Sequence, residues 1–372
     1  APWTNTRIDV LVVLEGPSDR VTAPTFRDIA ETVQDGLHGL GHPSTIVYCA
    51  NIAFDGCIAE GVKVIVLGAH NLASFSTMEG ESVVLKWKLL PPDAVLYNFD
   101  LVPRDMPPKW SLSAPCGAQS GGRDKATSLV SSQTLDIYAR YTLWDYSEGN
   151  VQALRDVGIH ADLVPLGFSP KLASTPSFRH GQREDHDDDD DNDADEDIDV
   201  LFIGMETPTR RVTIARLREA GISVVHPNSD GIHLYRADFN EMSARSKIVL
   251  NLNAFVNAED ECICGSSSSS CGGGSSRKGV GDGPGAPCNT GEWKMPRLAR
   301  LLANGRFVVS EMGGTAQERA KLSGGLVFVD PGELAETCRY YLERPELRTA
   351  IASRGRQLFE RQLEADILRK PV

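Results

Sequence analysis

Short apolar runs recur along this chain, and each ends in a loop of glycine or polar residues. Residues 8–14 (IDVLVVL), 62–67 (VKVIVL) and 200–203 are clear cases. Runs without apolar–polar alternation suit strands buried on both faces, as in parallel sheets covered by helices. Residues 94–97 and 161–166 extend the first series, and residues 138–146 also contain strand formers. A second series runs through 222–225, 248–252, 307–309 and 326–329. Helical segments lie between them, at 25–40, 151–158, 212–220, 240–246 and 332–342, with a last one from 345 to about 363. Residues 106–132, rich in Pro, Gly and Ser, read as a long loop. Strand–helix alternation of this kind predicts an α/β fold with mainly parallel sheets.

The chain has 372 residues, comfortable for two domains, and 41% of them are hydrophobic. The division falls at an acidic tract. Residues 184–199 hold 12 acids, and without them the chain has 39 acids against 38 basic residues. The tract has no apolar periodicity and predicts a disordered, self-repelling linker. The expected domains are therefore residues 1–174 and 199–372, joined by an acidic linker at 175–198. A Ser/Gly-rich insertion occupies residues 260–290 of the second. Nearly balanced charge outside the linker argues against a broad basic face for nucleic acid. No run of about 18 apolar residues occurs, so no membrane span is expected. Localisation is open between cytoplasm and, if an anchor precedes Ala1, the Golgi lumen.

Candidate chemistry gathers at strand ends. Residues 204–211 (GMETPTRR) follow a strand and open a helix. Gly204 permits close approach, Thr207 stands at the helix start, and Arg210 with Arg211 could join helix N–H groups in holding a phosphate. Both arginines fit solvated helix-start charges equally well. Asn251 and Asn253 alternate along a strand end, either facing a crevice or capping the strand. Pro296 starts a helix that stops at Asn304-Gly305, and a strand and the loop 310–314 follow. Glu292 is either a helix-start carboxylate or an acceptor for sugar hydroxyls. Gly313 and Gly314 after Glu311 form either a simple turn or a phosphate loop. His70, at a strand end, is a candidate base.

Other signals exclude classes. No Walker lysine motif, G-x-G-x-x-G fingerprint or G-x-S-x-G elbow is present. Cys262, Cys264, Cys271 and Cys288 lie at irregular spacing in Ser/Gly repeat, and the aspartate tract lacks a framework to fix ligands. No metal site is expected from either.

The second half resembles a known family. DVLFIG, SARSKIVLNLNAF, EWKMPRLARLLANGRFVVSEMGG and GLVFVDPGELAETCRYYLERPELRTAIASRG look like the C-terminal domain of group 1 glycosyltransferases, most similar to the CgeB-like, spore-maturation type. LWDYSEGNVQALRDVGI followed by LVPLGFSP resembles the segment ending their N-terminal domain. The resemblance implies a GT-B fold, two Rossmann-like domains facing a central cleft. It implies transfer of a sugar from a UDP- or GDP-linked donor to a glycan, protein or small-molecule hydroxyl, without metal or other cofactor. Gly204, Arg210 and Arg211 would then lie near the phosphates. Glu292 matches the first glutamate of the family's pair, and Arg297 an arginine common in the CgeB-like type. The second glutamate's position holds Arg300, with Glu311 across the loop as its substitute. His70 and Asp145 are the candidates for the acceptor-side base. Two further readings share the fold: a nucleotide-sugar-binding protein without catalysis, suggested by Arg300, and a nucleotide-sugar epimerase.

Overall fold

The computed structural model describes residues 10–14, 23–49, 63–69, 90–99, 102, 132–173, 196–204, 206–227, 236–253 and 295–371. In the first half, β1 (Val10–Leu14), α1 (Ala23–Gly39), β2 (Thr45–Cys49), β3 (Val64–Leu67), β4 (Val95–Asn98), α2 (Ser132–Tyr138), β5 (Thr142–Asp145), α3 (Glu148–Asp156) and β6 (Asp162–Leu163) follow in order. They form one sheet ordered β2-β1-β3-β4-β5-β6, with every pairing parallel. β3 is buried along its whole length, as its sequence VIVL requires.

The second half contains β7 (Ile198–Phe202), α4 (Pro208–Glu219), β8 (Val224–Val225), α5 (Arg236–Ala244), β9 (Ser246–Asn251), α6 (Met295–Ala303), β10 (Val308–Glu311), α7 (Ala316–Lys321), β11 (Val327–Val329), α8 (Leu334–Leu342), α9 (Pro345–Glu360) and α10 (Glu364–Leu368). Its sheet, also parallel throughout, runs β11-β10-β9-β7-β8. Parallel neighbours need crossover connections, so the C-terminal ends of all strands in a sheet open on one edge.

Several elements differ from the sequence reading. β2 was not anticipated. Tyr138 ends a helix rather than beginning a strand, and its hydroxyl donates to Asn98 Oδ1 at 2.9 Å. Ser310 and Glu311 belong to β10, not to the loop after it, because they pair in register with Asn251 of β9 and Val329 of β11.

Residues 175–195 of the linker expected at 175–198, and the insertion expected at 260–290, lie outside the described residues; Ile198 already belongs to β7. The last acids of the tract are tied down where it enters β7. Arg348 Nη2 donates to Glu196 at 2.6 Å, Arg245 Nε to Asp197 at 2.9 Å, and Lys247 Nζ to Asp199 at 2.7 Å.

The chain's end also crosses the expected division. Phe168 N donates to the Gln362 carbonyl at 2.6 Å, and Glu364 N to the Phe168 carbonyl at 3.0 Å. The Glu364 carboxylate accepts from Gly167 N, and burial pushes its pKa up to about 8 despite that bond. Leu368 of α10 shares one buried cluster with Val33 and Leu37 of α1, Leu298 and Leu302 of α6, and Phe359 of α9. Apolar burial therefore draws the last helix onto the first half.

Candidate functional site

The candidate site lies at the C-terminal edge of the second sheet, around Phe202. Thr207 caps α4, its Oγ1 accepting from Arg210 N at 3.3 Å, and Pro208 follows without needing an N–H partner. This start turns Arg210 back over the sheet. Its Nε and Nη2 donate to the Leu252 carbonyl at 3.2 and 2.8 Å, and its Cζ lies 5.3 Å from the centre of the Phe202 ring. Arg297, from the first turn of α6, reaches the same ring, its Cζ 5.7 Å from the centre. Its Nη1 donates to Asn251 Oδ1 at 3.4 Å.

Gly204 makes room for this approach. A Cβ there would stand 2.8 Å from Arg297 Nη2 and 2.8 Å from Phe202 Cζ.

The electrostatics follow from the crowding. Burial and, after it, the neighbouring charge of Arg210 lower Arg297 to about 9. Burial brings Arg210 to about 10, opposed by the Glu311 carboxylate. Glu311 is itself pushed up by burial, against the pull of its bond from Asn253 N at 2.7 Å and of Arg210. Two guanidiniums against one aromatic ring, with one buried carboxylate nearby, leave an excess of positive charge. That arrangement suits an anion.

The asparagines cross-link the edge. Asn251 Nδ2 donates to Ser310 Oγ and Asn253 Nδ2 to the Met312 carbonyl, both at 2.9 Å. His226, which the sequence reading missed, also belongs here. It follows β8 directly, and its Nε2 lies 3.0 Å from the Gly204 carbonyl oxygen. A polar residue ending a parallel strand was the one signal that pointed to it.

Other expected residues stand apart. Arg211 turns outward, 70% exposed, and pairs with Glu206. The carbonyls of Gly313 and Gly314 accept from Arg319 Nη1 at 3.0 and 2.8 Å, and Gly314 takes a φ of 64° that favours glycine. That loop leads into a capping box between Thr315 and Glu318. Asp145 is wholly buried. Its carboxylate accepts from Asn98 Nδ2 at 2.7 Å, Ser147 N at 2.9 Å and Asn150 Nδ2 at 3.1 Å. Burial raises its pKa to about 8, opposed by those bonds. So sealed a group does not suit the acceptor-side base expected of it. His70 and Glu292 lie outside the described residues, as do Cys262, Cys264, Cys271 and Cys288.

Arg300 serves the interface between the halves. Its Nη1 bonds Asp28 Oδ2 of α1 at 2.7 Å, its Nε donates to Asn240 Oδ1 at 2.8 Å, and its Cζ lies 4.7 Å from the Phe239 ring centre. A second contact joins α3 and α7. Glu148 accepts from Thr315 Oγ1 at 2.7 Å and Lys321 Nζ at 3.0 Å, and Glu148 N donates to Glu318 Oε1 at 2.8 Å. Beside this contact is a cleft lined by Tyr146, Leu163 and Leu166 on one side and Met295 and Lys321 on the other. Among the described residues, no cluster of three His, Cys, Asp or Glu could hold a metal, and no helix is long and apolar enough to cross a membrane.

Neither a protein-family profile nor a curated protein sequence matches the chain. Solved structures do. Sucrose-phosphate synthase from Thermosynechococcus elongatus aligns over 97% of both chains at 10% identity and a TM-score of 0.54. Anabaena Alr3699/HepE, solved with UDP and glucose and with UDP-glucose, aligns over 97% of both chains at 12% identity and a TM-score of 0.51. The two parallel Rossmann-like sheets facing a central cleft are the GT-B fold, the architecture of these glycosyltransferases.

Proposed function

We propose that this chain is a glycosyltransferase of the CgeB-like group 1 type, taking a UDP- or GDP-linked sugar and passing the sugar to an acceptor hydroxyl. The observation that carries this reading is the pair Arg210 and Arg297 over Phe202, beside Gly204 at the strand edge. The donor's diphosphate lies against these guanidiniums, with Asn251 and Asn253 bordering it. In the reaction the bond from the anomeric carbon to the diphosphate oxygen breaks. A bond to the acceptor oxygen forms, and the hydroxyl proton is released. Negative charge grows on the leaving diphosphate, and fixed cations in a partly buried site stabilise it. The reading needs no resident metal or cofactor. It leaves the ribose to Glu292 or another group, since Arg300 is held by Asp28 and Glu311 by Asn253. The HepE structure with UDP-glucose supports it as a precedent on the same fold.

The test is calorimetric titration of the full chain with UDP, GDP and their sugar conjugates, followed by assay for donor hydrolysis and transfer. Binding of a nucleotide sugar with turnover is the expected result, and absence of any nucleotide binding would sink the proposal. The engagement of Arg300 by Asp28 favours a second reading, a nucleotide-sugar-binding protein without catalysis. It predicts binding with neither hydrolysis nor transfer. Interconversion of free nucleotide sugars without an acceptor would point instead to an epimerase.

A further inference from the structure

Phe202 is approached from three directions. Arg210 and Arg297 lie over its ring, and the imidazole of His226 packs beside it, with ring centres 4.9 Å apart at 53°. His226 is 5% exposed. Two residues earlier, where β8 begins, Arg218 Nη2 donates to the Val224 carbonyl at 2.9 Å.

The contact of His226 Nε2 with Gly204 has a definite chemistry. A carbonyl oxygen only accepts, so Nε2 carries the hydrogen. The bond draws the negative end of the Gly204 peptide toward the imidazole. Left unbonded, that carbonyl could rotate and present its lone pairs to an incoming anion. Gly204 is also the residue whose Cβ would collide with Arg297, so its position decides how much room the guanidinium has.

We infer that His226 is a positioning residue of the anion site: its Nε2–H and ring hold the Gly204 loop and the Phe202 ring so that Arg210 and Arg297 receive a diphosphate. This rests on the nucleotide-sugar reading of the same site. It goes further in assigning a role to a residue that acts through the Gly204 carbonyl and the Phe202 ring.

The test compares His226→Gln with His226→Asn. Glutamine places an N–H near the position of Nε2, whereas asparagine places its own nearer Nδ1. Affinities of both variants and of the unmodified chain are measured by calorimetry with UDP, GDP and inorganic pyrophosphate, alongside melting temperatures. His226→Asn should weaken the bound ligands about tenfold, the scale of one lost hydrogen bond, and His226→Gln should stay within about threefold of the unmodified chain. Pyrophosphate should respond in the same proportion as the nucleotides, because the effect is on the phosphate site. A merely structural histidine would lower both melting temperatures and leave the two affinities alike. Equal affinities for the two variants, or no loss in either, overturns the inference. Failure of the unmodified chain to bind any of the three ligands overturns the nucleotide-sugar reading first, and this one with it. His226→Phe, which keeps a ring and removes the donor, gives an independent check and should match His226→Asn.

Discussion

Arg297 and Arg300 stand nearly one turn apart on the same helix, and each guanidinium lies near an aromatic ring. Their electrostatic situations are opposite. Arg300 meets Asp28, and both side chains are about nine-tenths buried. Arg297 is buried beside the like charge of Arg210, and burial first, then that charge, lowers its pKa. A buried pair of opposite charges is complete in itself and serves the architecture. A crowded pair of like charges stores a cost that an anion relieves, the usual mark of a site that binds something.

That contrast is sharpest if the partners are removed. Asp28→Ala leaves a buried guanidinium without its carboxylate and should cost about 3–5 kcal/mol of stability in chemical denaturation. Replacing both partners, as Asp28→Leu with Arg300→Met, should cost far less, because no charge is stranded. A loss from Asp28→Ala no larger than that of a surface substitution would break the comparison.

Arg297→Gln should do the reverse. Relieving the like-charge crowding leaves stability unchanged or slightly higher, while UDP or GDP affinity falls by about 2 kcal/mol, the worth of a charge-assisted bond. A variant that loses stability but keeps its affinity would place Arg297 among the structural arginines.

The pH profile separates the sites in another way. A guanidinium lowered to about 9, as for Arg297, or about 10, as for Arg210, is charged below that pH and neutral above it. Anion affinity should therefore be flat from pH 7 to about 9 and then fall roughly tenfold per pH unit for each proton lost. Bound anion holds the protons on, so the fall ends at the higher pH where the complex itself loses them. Titrations between pH 7.5 and 10.5 that show a flat profile throughout would contradict this.

The smallest effect is expected at the other inter-half contact. Lys321 is half exposed where it meets Glu148, so Lys321→Ala should change stability by less than about 1 kcal/mol. A larger loss would mean that this contact carries as much of the interface as Asp28 and Arg300.

Much of the fold was legible in the chain. The runs at 62–67 and 200–203 became β3 and β7 because a strand covered on both faces must be apolar throughout. β2 was overlooked although Thr45–Cys49 (TIVYC) is made largely of strand formers, and its pairing with β1 places it at the edge of the sheet. The site was half legible. Glycine and arginine after a strand pointed to the Gly204 loop, yet Arg210 and Arg211 look equivalent in sequence. One helical step, about 100° around the axis, puts the first on Phe202 and the second in solvent. His226 offered only its place at the end of a strand.

What the sequence determined by itself is the alternation of buried strands and amphipathic helices, since period and burial are local properties of the chain. Only the tertiary structure decided which charges meet. Asp28 and Arg300 are 272 residues apart, and the position where a family glutamate was expected became a strut between the halves. Less than one helical turn before Arg300, Arg297 was left with the like charge of Arg210 as its neighbour. Charge pairing depends on distance in space, which no periodicity records, and that distance separates the strut from the candidate site.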